Sequence, residues 1–213
     1  MPTIAFINQK GGVGKSTTSL HLTCWLARKK KTSVMLIDAD VQRSSSRWLS
    51  NMTNEIPHIA INNPNAILDK IPELAERHDY LVIDGPAGLQ ESVRAILLRA
   101  DLAICPVQAS ALDLESAGDA TYLIKQAQSV RNGLPEAALF LSRAVRGTRL
   151  ATESYSVLEN SGITTLKTII FQRQVLADAP GQVATVFDMP GDAAKTAAKE
   201  YQALFKEVMG MLP

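Results

Sequence analysis

Residues 7–19 read INQKGGVGKSTTS. Glycines let such a backbone curl until successive N–H groups face one concave nest, and a helix starting just beyond adds its positive N-terminal end. A nest of this kind holds phosphate. Gly11, Gly12, Val13, Gly14, Lys15, Ser16 and Thr17 would line it. Lys15 can then reach the β- and γ-phosphates of a nucleotide, and the Ser16 hydroxyl can ligate Mg²⁺. One lysine suffices for that task, yet Lys10 supplies a second. The spacing G-x-x-x-x-G-K-[ST] asks for glycine where this chain has Gln9.

Carboxylates follow at two strand-like ends. SVMLIDAD places Asp38 and Asp40 two residues apart, on one side of the chain if the strand conformation persists. Both could face a γ-phosphate and its metal; alternatively, one of them caps a short helix near SSSRWL. YLVIDGPAG runs through four apolar or aromatic residues to Asp84, the arrangement of an aspartate that holds Mg²⁺ directly or through water. Gly85 and Gly88 after it would permit the motion of a switch.

The elements that must position these groups are legible as alternating runs. Strands are expected at 3–8, 33–38, 58–61 (short, at an edge), 80–84, 102–107, 138–145 and 165–171. Helices are expected at 15–30, 66–77, 89–99, 113–131 (with Asp113 as N-cap), 148–161 and 193–211. Continuous apolar strands alternating with helices imply a doubly wound α/β fold, a mainly parallel sheet with helices on both faces. No linker or repeat interrupts the pattern, so residues 1–213 read as a single domain. Ligands of such sheets bind at the C-terminal strand ends, where Asp38, Asp40 and Asp84 fall.

Bulk composition narrows the classes. The net charge is +1, so a polyanionic partner would need a local basic patch. The two cysteines, Cys24 and Cys105, sit in apolar runs and read as buried free thiols, without metal-ligand spacing. There is no signal-peptide plan and no uninterrupted apolar run of membrane-spanning length.

KGGVGKST resembles the deviant Walker A loop of the ParA/MinD group of P-loop ATPases. LIDAD, VIDG, PVQASALDLESAG and QRQVLADAPGQVATVFD extend the resemblance over almost the whole chain, nearest to small plasmid-partition ParA proteins. The chain departs from the family at Val41, where D-x-D-P-Q has proline, and at GPAG, where D-T-P-P is more usual. The resemblance implies an ATPase using ATP and Mg²⁺. Lys15 would serve its own nucleotide and Lys10 the partner's across an ATP-bound sandwich homodimer. Asp40 would orient or deprotonate the attacking water, with Asp38 in the metal shell or switch. Arg143, Phe171 and Gln172 would contact the base or the dimer seam. It also implies a cytoplasmic protein, nucleoid-associated in its ATP form. That form binds DNA non-specifically and is released by a cargo-bound, ParB-like adaptor that stimulates hydrolysis. The basic candidates are Arg146, Arg149, Lys167, Arg173, Lys195, Lys199 and Lys206. The cargo would be a plasmid, or alternatively a protein body such as a carboxysome or chemotaxis cluster.

Three other readings compete. A sequence-specific autorepressor role, which would use a helix-turn-helix ahead of the phosphate loop, is not expected, since that loop begins within ten residues of Met1. A MinD-like membrane role would use the amphipathic end, where Tyr201, Leu204, Phe205, Val208 and Leu212 share a face; core packing is the preferred reading, with no stable membrane association. A metabolic ligase would need a substrate pocket, and an iron–sulfur reductase more cysteines.

Overall fold

The computed structural model describes residues 1–53, 55–88 and 90–212, without the side chains of 111–116. Its strands are β1 (Thr3–Phe6), β2 (Val34–Asp38), β3 (His58–Ala60), β4 (Tyr80–Asp84), β5 (Leu102–Val107), β6 (Glu136–Leu141) and β7 (Thr164–Thr165). Between and after them run α1 (Lys15–Ala27), α2 (Ser44–Asn51), α3 (Pro64–Ala75), α4 (Gln90–Leu97), α5 (Ala111–Val130), α6 (Arg149–Glu159), α7 (Gln174–Asp178) and α8 (Asp192–Gly210). All strand pairs are parallel, in the order β3-β2-β4-β1-β5-β6-β7.

The apolar strand runs split by period two between two cores. Ala5, Ile37, Ile83, Ala103 and Leu139 face one side, under Ile67, Ile96, Ile124 and Leu158 of α3 to α6. Ile4, Phe6, Leu36, Val82, Ile104 and Phe140 face the other, under Leu20, Leu26, Leu49, Tyr201, Leu204 and Phe205 of α1, α2 and α8. This is the doubly wound parallel sheet that the apolar pattern predicts. Each such side chain, fully buried, contributes about 1.5–3 kcal/mol. Tyr201, Leu204, Phe205 and Val208 are thus core residues. Among the described residues, no helix is long and apolar enough to cross a membrane.

Most boundaries differ from the sequence reading by one to three residues, and three differences have a visible cause or consequence. The helix α5 begins at Ala111, two residues before Asp113, so that residue lies inside the first turn; its side chain is outside the described residues. Strand β6 ends at Leu141 rather than at residue 145, because the chain turns at Arg143 with φ 53. Most of the expected last strand, 165–171, is irregular: β7 keeps Thr164–Thr165, and one further bridge joins Phe171 to Ala144. The cause is a distant carboxylate. Glu207 of α8 accepts the N–H groups of Lys167 (2.7 Å) and Thr168 (2.9 Å) and so interrupts the edge ladder.

Replacing Glu207 by leucine strands both N–H groups. The expected loss is about 1–2 kcal/mol, read as a lowered urea midpoint, with Glu207→Gln milder because an amide oxygen still accepts.

Candidate functional site

A cleft of about 580 Å³ opens beside the start of α1, lined by Gly11, Gly12, Gly14, Lys15, Ser16 and Thr17 of the glycine loop. The lining continues through Ser142 and Arg143, which touch that loop, to a wall of Ile170, Gln172, Arg173, Leu176 and Pro180. The apolar members of that wall suit a flat ring and the glycine loop suits phosphate, so the cleft has the two ends a nucleotide needs.

The loop is anchored from β1 and β5. Asn8, buried just beyond β1, donates its side-chain amide to Pro106 O (2.9 Å) and accepts Lys10 N–H (2.9 Å). Pro106 lacks the N–H that its partner strand would have bonded, and β1 has already turned away there. Gly12 (φ 78) presents a carbonyl that accepts from Gln108 Nε2 (3.0 Å) and Arg143 Nη1 (2.6 Å). Gly14 caps α1 at φ 101, and a Cβ there would stand 2.7 Å from Ser142 Oγ. Only glycine satisfies both conditions. Val13 is fully buried beneath the loop, and Lys10 is half-buried.

Lys15 is buried and donates to Lys10 O at 2.8 Å. Burial lowers its pKa, offset in part by the Asp84 carboxylate. Asp38 and Asp84 are register partners on β2 and β4, so their carboxyl groups lie at adjacent strand ends. Both are fully buried, but they are treated differently. The Asp38 oxygens accept Asp40 N–H (3.1 Å) and Ser46 N–H (2.8 Å). Neither Asp84 oxygen has a hydrogen bond of ordinary geometry, although the Ser16 and Ser45 hydroxyls face it. Burial, the largest cause, pushes the Asp84 pKa up to about 7, and the nearby Asp38 charge adds to this. Among the described residues, no three His, Cys, Asp or Glu side chains cluster as a metal cage. An orphaned carboxylate beside a hydroxyl and a phosphate nest instead fits Mg²⁺, which takes one or two protein oxygens and completes its shell with phosphates and water.

Asp40 lies on the cleft wall, half-buried. It accepts Gln42 N–H (2.8 Å) and Ala87 N–H (3.3 Å), joining the loops that follow β2 and β4. Gly85 serves close approach rather than motion: a Cβ there would meet Phe6 O at 2.5 Å, whereas Gly88 (φ 70) stands open. Phe171 is not among the cleft-lining residues and carries the Arg146 guanidinium 4.4 Å over its ring. Asn8, Gln108, Ser142 and Ser45 carried no motif of their own. The only trace of Gln108 was its place in the PVQ segment.

A buried histidine fixes α1 against the C-terminal region. His21 Nε2 accepts Val186 N–H (3.2 Å), so its other nitrogen carries the proton and donates to Thr17 O at 2.6 Å. Its ring stacks on Tyr201 at 4.7 Å. Desolvation depresses its pKa to about 4. A depressed value means that the unfolded chain binds the proton first, below about 6.5. The stabilisation is therefore complete above pH 6.5 and lost as pH falls toward 4. Wild type should lose up to about 3 kcal/mol across that window relative to His21→Gln, compared by urea denaturation at each pH.

A family model described as the CobQ/CobB/MinD/ParA nucleotide binding domain matches residues 4–186. The maintenance of carboxysome distribution protein A of Halothiobacillus neapolitanus is 26% identical, over 97% of this chain and 96% of its own length. The chromosome-partitioning ATPase Soj of Thermus thermophilus is 27% identical, over 97% and 94%. The solved ATP complex of a Cyanothece McdA variant superposes with a TM-score of 0.79 at 17% identity, covering 100% of this chain and 98% of that one.

Proposed function

The chain belongs to the CobQ/CobB/MinD/ParA nucleotide-binding family, and from that premise we propose how its cleft works and what it moves. It is an ATPase of the partition and positioning type, with ATP and Mg²⁺ as cofactors. We read residues 1–213 as one ATPase domain. Within it, the glycine loop and the α1 N-terminus cradle the phosphates, and Lys15 leaves the Lys10 carbonyl for the β/γ oxygens. Ser16 and Asp84 hold the cation, which when bound neutralises phosphate charge. Asp38 shapes the loop that presents Asp40, and Asp40 positions the attacking water. Arg143, held beside the glycine loop, and Gln172 flank the nucleotide.

Lys10 acts in trans. It is half-buried on a loop whose nest Lys15 already serves, and we read its ammonium as serving the γ-phosphate of a second copy. A cation contributed by the partner couples hydrolysis to a sandwich homodimer. The observation that carries this reading is the second lysine on a loop whose first lysine is buried within it.

The ATP-bound dimer binds duplex DNA without sequence preference through α8. Lys195, Lys199 and Lys206 are exposed at intervals of four and seven residues, opposite the buried face of the helix. They form a stripe about 16 Å long. Arg146 (71% exposed) adjoins it through Glu200, whereas Arg173 (21% exposed) is held inward by the same carboxylate. Two stripes per dimer make DNA affinity depend on ATP. A cargo-bound adaptor of the ParB kind then stimulates hydrolysis and releases the protein. A plasmid is the favoured cargo. A protein body is the second reading, which the carboxysome-distribution relative favours.

Lys10→Ala should retain ATP binding but lose the ATP-induced dimer in sedimentation, with turnover down at least about 100-fold. An unchanged dimer and rate would remove the trans role. Reversing Lys195, Lys199 and Lys206 to glutamate should abolish ATP-dependent shifts of random duplex DNA. Replacing the same three lysines by glutamine should flatten the salt dependence by roughly three phosphate contacts per protomer.

A further inference from the structure

The first turn of α2 touches both strand-end carboxylates. The Ser46 N–H donates to Asp38 Oδ2 at 2.8 Å. One residue earlier, the Ser45 side chain is fully buried and faces Asp84, and its hydroxyl has no hydrogen-bond partner. Buried hydroxyls ordinarily find a partner, so an open one against an open carboxylate calls for an explanation.

We propose that Ser45 is a positioning residue for the cation site: its hydroxyl donates to one oxygen of Asp84 and turns the other toward the metal. This rests on Asp84 being the cation ligand proposed above. The oxygen that receives Ser45 is fixed, and the lone pairs of its neighbour point to the nest. A carboxylate with no such partner would divide its time between orientations and hold the cation less well. Because Ser45 and Ser46 are adjacent on one helical turn, cation engagement at Asp84 also tightens the loop that Asp38 organises. That loop carries Asp40. Occupancy of the metal site is thus transmitted to the water-positioning residue through α2.

The test is a binding cycle rather than a rate. ATP affinity is measured by calorimetry with saturating Mg²⁺ and with EDTA, and the ratio reports how strongly the cation supports the nucleotide. Ser45→Ala should lower that ratio 10- to 100-fold while leaving the EDTA affinity unchanged. Ser46→Ala, which removes a neighbouring buried hydroxyl but keeps the backbone bond to Asp38, should leave the ratio at the wild-type value. An unchanged ratio in Ser45→Ala, or equal losses in both serine variants, overturns the proposal. Asp84→Asn separates the two levels. If it collapses the ratio while Ser45→Ala does not, only the role of Ser45 fails; if it too leaves the ratio unchanged, the metal site itself is misplaced.

Discussion

A fully buried carboxylate with no hydrogen-bond partner is an unstable thing to place at the centre of a fold, and Asp84 is one. Its environment holds it near neutrality, with a pKa of about 7. Ionising it there costs more than at a surface, because the desolvated charge lacks water. The charge of a divalent cation offsets that cost. The glycine nest, the Ser16 hydroxyl and the start of α1 sit where they can share such a cation with bound phosphate. The site is therefore incomplete in a directed way, and what completes it is Mg²⁺ together with a nucleotide.

The rest of the structure keeps that arrangement from relaxing. Parallel pairing of β1, β2 and β4 puts Phe6, Asp38 and Asp84 in one row at the strand ends. Gly85 packs without a Cβ against the Phe6 carbonyl, so the chain after Asp84 leaves in one direction only. Asn8, Gln108 and Arg143 brace the loop from β5 and β6, and His21 holds the far side of α1 to the segment before α8. The loops after β2 and β4 are joined to each other through Ala87 N–H on Asp40, and the first turn of α2 reaches the frame through Ser46 N–H on Asp38. A nucleotide-driven cycle requires rigid support beneath loops that are coupled to one another.

Much of this was legible in residue order. GGVGKS between a strand and a helix specifies a phosphate nest locally, since glycine positions and helix start are short-range properties. The apolar runs before Asp38 and Asp84 fixed which strand ends carry charge. What escaped was set by contacts distant in sequence. Glu207 interrupts the edge strand 40 residues away, and Arg143 reaches Gly12 across 131 residues. Asn8 reads as an ordinary polar residue until Pro106 is beside it. Gly85 looked like a hinge because a sequence displays freedom from a Cβ but not the carbonyl that requires it.

The most direct measurement is the position of the cation. Crystals of the ATP-bound protein grown with Mn²⁺ in place of Mg²⁺ would locate it by anomalous scattering. The account requires a peak bounded by the Ser16 hydroxyl, the phosphates and the Asp84 carboxylate, within direct or single-water reach of Asp84. A peak on the phosphates alone, with Asp84 remote from it, would contradict the account.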